Sequence, residues 1–187
     1  MISRLQPALG RLLISEPFLM DPNFKRSVIL ITEQQEEGTV GFILNHSSTL
    51  ILKDIIPELT KANFPVYLGG PVETDTIHFI HRCPELITDG QEIVKGIYWG
   101  GNFETLKVLI EKEHIKGSDI KFFIGYSGWG DGQLKMEMTG NTWIVSDAFH
   151  PDVVFSDNEE NLWREVIINL GPKYAHISNF PQDPNLN

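Results

Sequence analysis

Four glycines, Gly125, Gly128, Gly130 and Gly132, surround Trp129 in the stretch GYSGWGDGQLKME. Glycines at this density admit positive φ and let other groups approach the backbone closely. Three glycine-loop chemistries are therefore tested first. A phosphate-binding P-loop requires G-x-x-x-x-G-K-[ST], because its lysine and hydroxyl hold phosphate and magnesium. Gly125 and Gly130 have that spacing, but Asp131 and Gly132 follow. A dinucleotide turn requires G-x-G-x-x-G between a strand and a helix. Here Gln133 takes the place of the third glycine, and QLKMEM alternates like a strand. A nucleophile elbow requires G-x-S-x-G; Gly125 and Ser127 fit, but Trp129 stands where the second glycine belongs. All three fail at the residues that would do the work.

Other groupings carry weaker chemistry. Glu137, on a strand after the glycine stretch, could face one cleft with Asp131 as a carboxylate pair, although a solvated face is the simpler expectation. Asp147, His150 and Asp152 could join Ser127 or Ser146 in a triad, which only spatial geometry defines. Asp, Ser and His before proline are also ordinary turn residues, and that reading is preferred. His78 and His81 with Cys83 suggest a metal site, but on a strand residues i and i+3 face opposite ways. No metal and no cofactor are expected. Nothing near Cys83 in the sequence would lower its pKa, so it is not expected to be a nucleophile. Trp129 has two readings. It plugs a hydrophobic recess with its indole N–H bonded to a carbonyl, or it lines a pocket and stacks on a ligand. Asp21 in LMDPNF opens a turn, with Pro22 fixing φ.

The elements that must position these residues are mostly strands. Leu9 to Ser15, Phe24 to Thr32, Thr39 to Asn45, Val66 to Pro71, Ile77 to His81, Glu92 to Gly100 and Ile120 to Ser127 are apolar or alternating. Gly38 in the acidic turn EQQEEG makes the second and third a hairpin. QLKMEMTG and TWIVSD read as a further strand pair turning at Gly140-Asn141. A short helix lies in LKDIIPEL, ended near Pro57. Asn102 caps a helix carrying Phe103, Leu106, Leu109 and Ile110. Ser156 and Glu159 form an S-x-x-E capping box before the stripe Leu162, Trp163, Val166, Ile167 and Leu170, with Gly171 and Pro172 ending that helix. Many strands with few helices predict an α+β fold.

The chain has 187 residues, enough for one domain with a substantial core. That domain is expected over 1–178, with a loose polar tail over 179–187. Asp plus Glu total 25 and Lys plus Arg 15, a formal net charge of −10. Such a field repels phosphate backbones, and no basic run is denser than Lys25-Arg26. One cysteine allows no intrachain disulfide and suits a reducing compartment. The start MISRLQPALG lacks the apolar core of a signal peptide, and runs such as Val28 to Ile31 are too short to cross a bilayer. A soluble, cytoplasmic protein is expected, without membrane association.

Four ordered blocks carry a resemblance. GYSGWGDGQLKME resembles the signature GY-x-GW-x-x-GQL-x-x-E of the bacterial YqgE/AlgH family. GRLLISEPFLMDPNFKRSVILI is similar to its opening strand, P-x-L-x-D-x-x-F stretch and second strand. GTVGFILN with LGGPVETDTIHFIH resembles its central motifs, and W…VVFSDNEENLW…LG its C-terminal pattern. The resemblance spans about Gly10 to Gly171. It implies mixed sheets curled into a sandwich or pseudo-barrel with a few packed helices. It supplies no catalytic residues. It marks as motif positions Pro17, Asp21, Phe24, Asn45, Gly69, Gly70, Pro71, Gly128, Trp129, Gly132, Gln133 and Glu137, which, Pro17 apart, are the candidate ligand-binding residues. Where the family has Asn-Arg-Pro this chain has Asn45-His46-Ser47, so anion binding through that arginine does not carry over. The family also carries a label of transcriptional regulator.

The expected function is a non-catalytic binding or regulatory domain acting on an unidentified protein or small-molecule partner. One alternative is an enzyme using Asp21, Asp131, Glu137 or His150 near the glycine stretch, which requires perturbed ionisable groups in a cleft. The other is direct DNA binding. The net charge, the missing basic stripe and the absence of a helix-turn-helix argue against it, so any transcriptional role is expected to be indirect.

Overall fold

The structure, a computed structural model, describes residues 5–180. Among the described residues there are ten strands: β1 (Leu12–Ser15), β2 (Val28–Gln34), β3 (Gly38–Ile43), β4 (Ser47–Ile51), β5 (Pro65–Leu68), β6 (Val72–His81), β7 (Gln91–Val94), β8 (Ile97–Trp99), β9 (Ile120–Gly130) and β10 (Trp143–Ser146). The helices are α1 (Leu52–Ile55), α2 (Phe103–Glu111), α3 (Gln133–Thr139), α4 (Asp152–Phe155), α5 (Glu159–Asn169) and α6 (Pro172–Ala175). The strands run in the order β10-β1-β2-β3-β9-β6-β8-β7, with β4 on β5 and β5 on β9. Every pairing is antiparallel except β5 with β9. The fold is α+β, as expected. The sheet curls without closing, since β10 and β7 remain its two ends.

Strands β1 and β2 read as unbroken apolar runs because both of their faces are buried. Leu12, Ile14, Val28 and Leu30 pack beneath α5, against Leu162, Trp163, Val166 and Ile167. Their alternates Leu13, Ile29 and Ile31 pack on the other side with Trp129, Trp143, Leu134 and Met138. A third cluster joins Phe79 and Phe122 to Leu106 and Ile110 of α2. Asn102 caps α2 by accepting from the Thr105 amide at 2.8 Å.

The long strand β9 changes partner along its length. Its residues Phe122–Ile124 pair with β5, whereas Ser127–Gly130 pair with β3. The change of partner falls at Gly125, which sits at φ +65°, and the glycine stretch is strand as far as Gly130, with a turn at Asp131 and Gly132. The Gly69 carbonyl accepts from the Ile43 amide at 2.9 Å and from Ser127 Oγ at 3.0 Å, and the Gly69 amide donates to the Ile124 carbonyl at 2.9 Å. A Cβ on Gly69 would stand 2.3 Å from the Gly125 carbonyl oxygen, and one on Gly70 2.2 Å from the Tyr126 carbonyl carbon. Gly69 and Gly70 thus serve close backbone packing at the sheet corner. Gly69→Ala is expected to cost about 1–3 kcal/mol or more, the range for overpacking a tight site; urea unfolding of the variant checks it.

Three local expectations are corrected. QLKMEM is helix α3, not a strand. Gln133 to Met138 do alternate, but left-handed Gly132 (φ +69°) turns the chain into a helix that buries Leu134 and Met138 and leaves Met136 exposed. Glu92 to Gly100 is not one strand: Gly96 at φ +80° folds it into the β7–β8 hairpin. The S-x-x-E box does not form. Helix α5 starts from Asn158 without a side-chain cap, and Ser156 Oγ accepts from the Asn158 amide at 3.2 Å. Of the expected tail, 181–187 lie outside the described residues. Asn179 accepts from Arg164 at 2.8 Å, and Phe180 stacks on Phe18.

Candidate functional site

The signature residues converge on one carboxylate. Trp129 is buried between Phe24 and Trp143, with ring centroids 6.1 and 5.9 Å away. Phe24 meets Trp143 edge-on at 5.7 Å. Both indoles donate to Glu137 Oε2, Trp129 Nε1 at 2.9 Å and Trp143 Nε1 at 2.7 Å. Gln133 Nε2 donates to the other oxygen, Oε1, at 3.1 Å, while Gln133 Oε1 accepts from the Gly130 amide at 3.2 Å. Gln133 reaches Glu137 because they lie one helical turn apart, a spacing that a strand would not bring together. The Trp129 side chain is therefore a core plug, and its N–H meets a carboxylate rather than a carbonyl.

Asp21 delivers Phe24 to this cluster: its Oδ1 accepts from the Asn23 amide at 2.9 Å, and its carbonyl accepts from Phe24 and Lys25. Asn45 bridges across to the same turn. Its Oδ1 accepts from the Val28 amide and its Nδ2 donates to the Arg26 carbonyl, both at 2.8 Å. His46 Nε2 lies 3.2 Å from the Lys25 carbonyl, and burial lowers its pKa, so the neutral ring donates there. Pro71 is exposed beyond the Gly69-Gly70 corner.

The remaining candidates do not assemble. Ser127 Oγ is committed to the Gly69 carbonyl and Ser146 Oγ to Ala148, so neither meets His150, whose Nδ1 lies 3.1 Å from Asp152 Oδ2. His78 and His81 face opposite sides of β6, His78 against Phe42 and His81 against Tyr98. His81 Nδ1 accepts from the Cys83 amide at 3.2 Å and Nε2 faces the Gly100 carbonyl at 3.0 Å, which selects the neutral Nε2–H tautomer. Burial and nearby Asp119 and Glu85 push the Cys83 thiol up.

Two surface depressions flank the outer end of the β3–β9 pairing. One, of about 320 Å³, is lined by Glu36, Asp131, Gly132 and Lys135 among others. The other, of about 400 Å³, is lined by Glu33, Glu37, Tyr126, Gly128 and Trp129. Gln35, Gly38, Thr39 and Gly130 belong to both.

A second constellation escaped the sequence reading. Lys121 on β9 is only 4% exposed. Its Nζ donates to the Ser156 carbonyl at 2.7 Å and lies 3.8 Å from the centre of the Tyr67 ring. The Glu159 carboxylate acts on the Tyr67 hydroxyl as well as on Lys121. Burial brings the Lys121 pKa down to about 7, against the opposing pull of Glu159 and Asp157. Burial, with Glu159 and Asp157, pushes the Tyr67 hydroxyl well up. Lys121 thus takes the backbone carbonyl of Ser156, one of the two residues that read as a capping box, while Ser156 Oγ stays with the Asn158 amide. The available signal was a lone lysine inside the apolar run IKFFIG.

Lys121 links stability to pH. Between about 7 and the ordinary lysine value the unfolded chain binds a proton that the folded chain does not, so stability rises with pH through that window. Below it the folded chain carries the full cost of burying an ammonium. Lys121→Met is therefore expected to gain most on the wild type near pH 6 and least near pH 10, the gap closing by about 1.4 kcal/mol per pH unit in mid-window. Denaturant midpoints of both proteins across that range measure it.

Comparison with known proteins places this arrangement. An AlgH-like family model matches residues 12–175. The chain belongs to the AlgH-like family. It is 38% identical over 178 residues to a UPF0301 protein of Chlorobaculum tepidum, covering 95% of each chain. It is 40% identical over 182 residues to a UPF0301 protein of Bacteroides thetaiotaomicron, covering 97% of this chain and 92% of the relative. The fold matches the crystal structure of protein DIP2367 of Corynebacterium diphtheriae with a TM-score of 0.77 at 25% identity, over 95% of both chains. It also matches the solution structure of AlgH from Pseudomonas aeruginosa with a TM-score of 0.73 at 24% identity, over 96% of this chain and 98% of that one. Among the described residues no helix is long and apolar enough to cross a membrane.

Proposed function

We propose that this AlgH-like chain is a non-catalytic binding domain with a regulatory role, and that it takes its partner in the paired depressions at the outer end of β3 and β9. The observation that carries this reading is their shared floor. Gly38 and Gly130 have no side chains to cover it, and Gly130 leaves its would-be Cβ position open to space. The Glu137 carboxylate nearby is occupied by two indoles and an amide, which favours a structural over a catalytic use. Glu33, Glu36, Glu37 and Asp131 make the groove acidic. It suits a basic or amide-rich partner and repels nucleic acid, so any part in transcriptional control runs through that partner.

Backbone amide NMR with a lysine-rich peptide near physiological salt tests this. Shifts should centre on Gly38, Thr39 and Gly130, and Gly130→Arg should remove them without unfolding the chain. Shifts scattered over the acidic surface, or specific retention of a DNA duplex in a gel at the same salt, would overturn the proposal.

A further inference from the structure

The Lys121 constellation stands in a cavity of about 440 Å³ that shares no lining residue with the β3–β9 groove. Its walls include Phe64, Tyr67, Ser118, Phe155 and Asp157, with Lys121 among them. The volume is that of a small-molecule site, and so is the mixture of aromatic walls with a few polar groups. Lysine is almost never fully buried unless it is paired. Here Nζ is met by a backbone carbonyl and a ring face, and the Glu159 and Asp157 carboxylates act on it without a salt bridge among the described residues. Beside it the S-x-x-E pattern fails to cap α5, the kind of conflict between local and global structure that marks functional sites.

We propose that Lys121 is a carbonyl-binding residue whose Nζ forms a Schiff base with a small uncharged aldehyde or ketone seated in this cavity. The amine nitrogen attacks the carbonyl carbon; the C–N bond forms as the C–O bond is lost. The two hydrogens of the neutral amine leave with the carbonyl oxygen as water. Nothing is oxidised or reduced, and no co-reactant is required. A neutral amine is the nucleophile in such a step, and desolvation supplies it at neutral pH. The charge around the cavity selects the ligand. Asp157 lines it and Glu159 acts on both Lys121 and Tyr67, so keto acids and sugar phosphates are repelled while uncharged carbonyl compounds are not.

Reductive trapping tests the proposal on the intact native chain. The protein is incubated near neutral pH with glyceraldehyde and cyanoborohydride, and the labelled lysines are located by peptide mass mapping. An ordinary lysine is only about 0.1% neutral there, so Lys121 should label roughly tenfold faster than exposed Lys112, Lys116 and Lys135 despite its burial. The preference should vanish in urea. Glyoxylate should label Lys121 more slowly than glyceraldehyde does, and Asp157→Asn should narrow that gap. Labelling that follows exposure, with Lys121 among the slowest, overturns the proposal. So does a preference that survives unfolding.

Discussion

Trp129→Ala should lower stability by about 3–5 kcal/mol, the range for truncating a large buried aromatic. The side chain is 4% exposed and fills the space between Phe24, Trp143 and the buried faces of Leu134 and Met138. Its removal opens a cavity bounded by a sheet and a helix, neither of which can collapse freely into it. It also removes one of the two indole donors of Glu137. Chemical denaturation gives the value, provided the slope with denaturant is unchanged. A variant as stable as the wild type would return Trp129 to the list of surface binding residues.

Glu137→Ala should be nearly as damaging, at about 2–5 kcal/mol, because each buried indole N–H left without an acceptor costs about 1–3 kcal/mol. Both indoles use the same oxygen, Oε2. Glutamine offers one carbonyl oxygen in that place with two lone pairs. Glu137→Gln should therefore recover most of the loss, whereas a carboxylate acting as a base would not be replaced by an amide. The double variant Trp129→Ala/Glu137→Ala should cost less than the sum of the two, since the residues share one interaction. Thermal or urea unfolding of the four proteins completes the cycle.

Both predictions depend on α3, which shows where sequence reasoning stopped. Gln133 to Met138 alternate polar and apolar, the signal of a half-buried strand. The same residues also place Leu134 and Met138, and Gln133 and Glu137, four apart. Local pattern does not choose between these periods. The choice is made by the left-handed turn at Gly132 and by the recess beneath Trp129 and Trp143, both of which exist only once β9 and β10 are in place. The capping box at Ser156 and Glu159 failed for a related reason. The Ser156 hydroxyl turns to the Asn158 amide, and the Ser156 carbonyl is taken by Lys121 from β9, a partner no local pattern records.

The sequence by itself determined that strands dominate, that β2 and β3 form a hairpin around Gly38, and that Asn102 opens α2. These are short-range matters of apolar period, turn chemistry and capping. It also determined that the glycine stretch lacks the residues of a P-loop, a dinucleotide turn or a serine elbow, because those chemistries need particular side chains at particular offsets. Only the tertiary structure decided what the glycines are for. Gly69, Gly70 and Gly125 are required because two backbones approach within contact distance where β9 leaves β5 for β3, and such an approach joins residues more than fifty positions apart. Only the tertiary structure, too, drew Lys121, Tyr67 and Asp157 to one cavity. A lysine's desolvation depends on what other segments pack around it, and no spacing along one strand records that.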